Sequence, residues 1–198
     1  MKKLFCALLA LIMVLSLAAC GSDAGTPATT EPAATELPTE PAVVIEGADK
    51  LLSAVWADMG EDEKYYVGGG DYDNMVENDA GLVTNTDYMT GSLHMPEDLV
   101  SQADQVASLV HGMNANSMTT GAYHLAEGTD VAAFAQAMRD SIQSARWMCG
   151  FPEQLFIASV GGYVVVSFGL TDNIASIENH LTTLYPSAEV LYKEAIEG

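Results

Sequence analysis

Four groups of residues have the types and spacing for chemistry. Asp71, Asp73, Asn74, Glu77, Asn78 and Asp79 crowd together behind the triplet Gly68-Gly69-Gly70. Hard oxygen ligands on a flexible loop are what calcium needs. The EF-hand spacing is nevertheless broken, with Met75 at the fifth ligand position, Val76 at the turn glycine and no glutamate at the twelfth, so the 71–79 segment is expected as a solvated acidic loop. His111, Met113 and Met118, with His94-Met95 upstream, combine imidazole and thioether, a set that suits copper(I) and equally suits core packing. Cys149 is a candidate nucleophile only where a base or a helix N-terminus lowers its pKa. The helical stripe Val131, Phe134, Met138, Ile142, Ala145, Cys149 puts it at a helix C-terminus instead, where the dipole disfavours a thiolate, so a buried inert thiol is expected. Arg139, Gln143 and Arg146 share the opposite face of that helix. They could hold an anionic group of a ligand or partner, or neutralise the chain's own acids. No G-x-S-x-G, H-E-x-x-H, phosphate loop or paired C-x-x-C is present, which argues against an enzyme and implies no cofactor.

The element that must organise these groups is Leu155–Gly169, two β-branched and aromatic runs joined by Gly161-Gly162, the signature of a two-residue hairpin turn. Pairing Val160 with Tyr163 sorts Leu155, Ile157, Val164, Val166 and Phe168 onto one face and Phe156, Val160, Tyr163 and Val165 onto the other. Both faces are apolar and both need cover. The helices starting at Thr129 and Thr171 each follow a strand and are expected together on one face. The face of Phe156, Val160, Tyr163 and Val165 is then left for an N-terminal helix over 47–59 or for a partner, which makes those four a candidate binding surface.

The rest of the chain reads as short elements. Residues 64–67 fit a short strand, the glycine triplet through Asn74 a loop, and Thr86-Asp87 and Pro96 helix starts. Residues 105–113 fit a helix or a strand equally well. Residues 118–126 read as a strand, Asp130 as a helix cap, 171–184 as a helix ended before Pro186, and 189–192 as a last strand. The class is α+β, a mostly antiparallel sheet with packed helices, and from Met118 onward the order matches a ferredoxin-like split βαββαβ in outline.

At the N-terminus, Met1-Lys2-Lys3, a short apolar run and Leu17-Ala18-Ala19-Cys20-Gly21 form a secretory signal too short to span a membrane. Its end resembles the lipobox of bacterial lipoproteins, in which Cys20 carries the lipid after residues 1–19 are removed. Residues 20–45 are rich in Pro, Thr, Ala and Glu and read as a tether, leaving 46–198 as one domain. The formal charge is −20, and losing Lys2 and Lys3 takes it to −22. That balance argues against nucleic acid and anionic lipid as partners. Removal of Cys6 and lipidation of Cys20 would leave Cys149 without an intrachain disulfide partner.

The pieces HGMNANSMTTGAYHLAEG, Phe151-Pro152-Glu153-Gln154 and GGYVVVSFG resemble the clostridial lipoproteins grouped as domain of unknown function 4358, over about Val106 to Leu184. The resemblance implies an extracytoplasmic lipoprotein in which 105–113 pairs as a strand with 118–126, and it brings no catalytic residues. The expectation is a lipid-anchored binding or interaction module on the outer side of the cell membrane, with a protein or small ligand as partner. A metal-binding lipoprotein (calcium or copper) and a small cell-surface hydrolase are the alternatives. Converging acids would favour the first alternative, and a cleft joining Cys149 to a histidine the second.

Overall fold

The computed structural model describes residues 44–197. The expected signal segment, Cys20 and nearly all of the tether lie outside them. Among the described residues no helix is long and apolar enough to cross a membrane.

Among the described residues eight strands form one antiparallel sheet: β1 (Val67–Gly69), β2 (Val76–Glu77), β3 (Gly81–Leu82), β4 (Ala103–His111), β5 (Met118–Leu125), β6 (Gln154–Val160), β7 (Tyr163–Gly169) and β8 (Glu189–Ala195). Their spatial order is β2-β1-β4-β5-β7-β6-β8, with β3 beside β4. Among the described residues four α-helices accompany them, α1 (Ala48–Asp58), α2 (Thr86–Gly91), α3 (Val131–Gln143) and α4 (Thr171–Leu184), together with 3-10 segments at Glu97–Gln102 and Ala115–Ser117. The α+β class and the antiparallel sheet are as expected. The hairpin has the expected register, Val160 opposite Tyr163, with both turn glycines at positive φ. Residues 103–111 are strand and pair with β5, Val110 opposite Thr119.

The βαββαβ order from β5 to β8 is also present, but the last strand docks elsewhere. In a ferredoxin-like sheet it returns beside the first strand; here β4 occupies that edge of β5, and β8 pairs with β6. The consequence follows from handedness. Both crossovers, β5-α3-β6 and β7-α4-β8, step the same way along the sheet while the strand direction reverses between them. Two right-handed crossovers so arranged must put their helices on opposite faces. Phe134, Met138 and Ile142 of α3 accordingly pack on Leu155, Ile157, Val164, Val166 and Phe168. Ile174, Ile177 and Leu181 of α4 join Leu51, Leu52 and Val55 of α1 over the other face. The expectation that both helices share one face is therefore corrected.

Two further expectations change. Gly68-Gly69 belongs to β1, not to a loop. A Cβ on Gly69 would lie 2.3 Å from the Gly81 nitrogen, because β1 and β3 converge on neighbouring residues of β4, and only glycine permits that approach. In α3, Asp130 caps the helix by accepting from the Ala132 and Ala133 amides at 2.9 and 3.1 Å, but the helix stops at Gln143. Cys149 thus lies beyond it, exposed and at φ 63°, and not in a buried stripe.

The end of α1 is clasped to α4. His180 on α4 bonds Asp58 through Nδ1 at 2.8 Å and Glu63 through Nε2 at 3.0 Å. Glu63 also accepts from Ser176 Oγ at 2.6 Å and the Gly60 amide at 2.9 Å. The Ser176 bond leads the effects that hold the Glu63 carboxyl down at about 2, and the Asp58 bond leads those that push the His180 pKa up.

Candidate functional site

The covering helices leave one stretch of sheet open. Where β1, β4 and β5 meet, on the α3 side, a cleft of about 340 Å³ has Gly68, Val110 and Thr119 on its floor. This volume falls within the range of small-ligand sites, about 300–1,000 Å³. It lies at the end of the sheet marked by Gly169 and Met118. Ile45 packs at the opposite end, against the Gly161 turn. Eight residues of β5 separate the two ends, roughly 25 Å at strand rise.

Three tyrosines build the walls. Tyr66 precedes β1 and lies across the end of β4, where the Gly112 amide donates to its carbonyl at 2.8 Å. A Cβ on Gly112 would sit 2.0 Å from the Tyr66 ring, so the seat exists because residue 112 has no side chain. Tyr72 is 73% exposed, and its ring meets the buried Tyr88 ring edge to face, centroids 5.1 Å apart and planes at 83°. Burial leads the effects on Tyr88 and raises its pKa, so its hydroxyl is neutral.

Asp71 positions both of these walls. Its carboxylate is buried and accepts from the Thr84 amide and hydroxyl, from the Asn85 amide at 2.7 Å and from the Asp73 amide at 3.2 Å. The first three donors belong to the approach to α2, which carries Tyr88; the last belongs to the turn that carries Tyr72. Burial works to raise this pKa, but the hydrogen bonds from Thr84 and Asn85 outweigh it and hold the carboxyl below its ordinary value. The residue at the head of the acidic segment is thus a structural bracket. Asp73, Glu77, Asn78 and Asp79 remain exposed. Among the described residues no three His, Cys, Asp or Glu side chains converge as a metal site would require.

Two imidazoles complete the lining. His111 Nδ1 accepts from the Met113 and Asn114 amides at 3.1 and 3.3 Å, which places the ring proton on Nε2. Its ring stacks on Tyr65 at 4.6 Å. His94, at φ 52°, packs against Trp147 and Phe168, and burial pushes its pKa down. No lysine, arginine, aspartate or glutamate lines the cleft. Its chemistry is that of aromatic rings, imidazoles, the Asn116 amide and the Ser92 hydroxyl.

The residues singled out in the sequence lie elsewhere. Phe156, Val160, Tyr163 and Val165 are buried under α1 and α4, so their candidacy as a binding surface is corrected: the N-terminal helix and α4 together supply the cover that face requires. Arg139 is engaged by the chain's own acids, Glu194 (Nη2 to Oε2, 3.0 Å) and Asp140 (2.9 Å), with Gln143 also bonded to Glu194, and so ties α3 to β8. Arg146 is exposed beyond the end of α3 and does not join it. His111, Met113 and Met118 diverge, since Met118 is fully buried and Met113 is 83% exposed past the strand end. Cys149 does not line the cleft with the histidines. Tyr66, Tyr72 and Tyr88 were missed; the only signal for Tyr66 and Tyr72 was that they flank a glycine triplet, where large apolar groups have little core to enter, and Tyr88, within α2, had none.

No protein-family model, curated protein or solved structure matches this chain.

Proposed function

We propose that the protein is a lipid-anchored binding module on the outer side of a cell membrane, and that the tyrosine-walled cleft is its ligand site. The observation that carries this reading is a concave, aromatic and uncharged lining in a chain of formal charge −20. The lipobox-like end of the signal segment supports the location. Chemistry favours binding over catalysis, because the His111 Nδ1 lone pair is occupied and Cys149 lies outside the lining.

Calorimetry on the full chain in maltoside micelles tests the cleft, using a panel of sugars, aromatic alcohols, methylated ammonium compounds and organic acids. Binding is expected from neutral or cationic members, weakened about tenfold by Tyr72→Ala, with none from the acids. Binding led by organic acids, or unaffected by Tyr72→Ala, contradicts the reading. The anchor has its own test: Cys20→Ala should move the protein from the membrane fraction to the soluble fraction, and a variant still wholly on the membrane would refute lipidation at that residue.

A further inference from the structure

We infer that the cleft takes a quaternary, trimethylated ammonium group, a cation that bears no hydrogen-bond donor on its nitrogen. This rests on the cleft being the ligand site and adds the class of ligand. A methylated ammonium needs negative surfaces in van der Waals contact, which the faces of tyrosine rings supply. Tyr72 and Tyr88 meet edge to face with their planes at 83°, and both border the cleft together with Tyr66. An ordinary ammonium is best held by a carboxylate and an anion by a lysine or arginine; the lining holds none of these. Charge around the cleft is complementary to a cation. The segments that carry Tyr72 and Tyr88 also carry the exposed acids Asp73, Glu77 and Asp87. These attract a cation through the field they set up, without the desolvation that direct pairing would entail.

The discriminating experiment compares choline with its neutral carbon isostere, in which a tert-butyl group replaces the trimethylammonium, on the full chain in maltoside micelles. Choline should bind about tenfold or more tightly than the isostere. Tyr72→Phe, which keeps the ring, should retain choline binding within about threefold, and Tyr72→Ala should weaken it about tenfold. If the isostere binds as tightly as choline and Tyr72→Ala abolishes both, the cleft remains a ligand site and the cationic inference falls. If neither binds at about 10 mM, the inference falls as well. Competition by phosphatidylcholine vesicles would assign the group to a lipid headgroup, whereas competition by free choline alone would assign it to a soluble compound; either result supports the inference.

Discussion

The two halves of the sheet are finished differently. Over β6 and β7 both faces are roofed, by α3 on one side and by α4 with α1 on the other, and Phe156, Ile157, Val164 and Val165 are fully buried. Around β1 and the outer end of β4, the α3 side has only the short α2 and the 3-10 segment, and tyrosines stand where a helix would have packed. The first half buries large apolar chains at roughly 1.5–3 kcal/mol each and so supplies stability. The second half forgoes part of that gain and keeps aromatic surface in contact with solvent, which is what recognition requires. Stability and recognition are thereby separated along one sheet, and substitutions on the two sides should have separable effects.

The largest effect is expected at Val165. A carboxylate placed there by Val165→Asp is sealed beneath α1 and α4 with no partner, at a cost of about 4 kcal/mol or more, a large share of the 5–15 kcal/mol typical of a domain. Denaturant unfolding should show loss of the folded state. A Val165→Asp chain that melts like the parent would mean that this half is not the stabilising one.

Asp71→Ala bridges the comparison, since Asp71 is buried yet holds the cleft. Removing an acceptor that serves two backbone amides of the Thr84-Asn85 segment should cost roughly 2–4 kcal/mol and also weaken ligand binding. Because its folded pKa is depressed, the stabilisation is present above the ordinary value of 3.8 and is lost as the pH falls through the folded value. Full stability with weakened binding would show that the bracket shapes the cleft without supporting the fold.

The smallest effect is expected at the α1–α4 clasp. The His180 pKa is raised in the folded state, so its contribution is fully present below the ordinary 6.5 and is lost as the pH rises through the folded value. The half-exposed geometry limits the loss to a fall of about 2–3 °C in Tm on the alkaline side, absent in His180→Asn. Ligand affinity should be unaffected, since the clasp lies on the opposite face from the cleft.

The roofed half was the more legible in sequence, for a physical reason. Alternation in Leu155–Gly169 fixes faces locally, and Asp130 announces α3 within three residues. Where β8 docks is a long-range choice: it depends on β4 having already filled the edge of β5, which no local pattern records. The misreading of Gly68-Gly69 has the same origin, because the need for glycine comes from Ala80-Gly81, a separate stretch of chain. The cleft was the least legible part. Tyr66, Tyr72 and Tyr88 converge only after Asp71 reaches across to Thr84 and Asn85, and an aspartate in an acidic run looks like any other solvated charge.

Methionine methyl resonances give the most direct test of the division between the halves. Met75 lines the cleft, Met118 and Met138 lie in the core, and Met148 is exposed outside the cleft. In the full chain labelled with carbon-13 methyl methionine and titrated with choline in maltoside micelles, the Met75 signal should move and saturate. Those of Met118, Met138 and Met148 should stay in place, and Tyr72→Ala should displace the Met75 titration to about tenfold higher choline while leaving the core signals unchanged. A saturable shift at Met148 with Met75 unmoved, or no shift at Met75 with choline or with any other compound shown to bind, would contradict the assignment of recognition to the open half of the sheet.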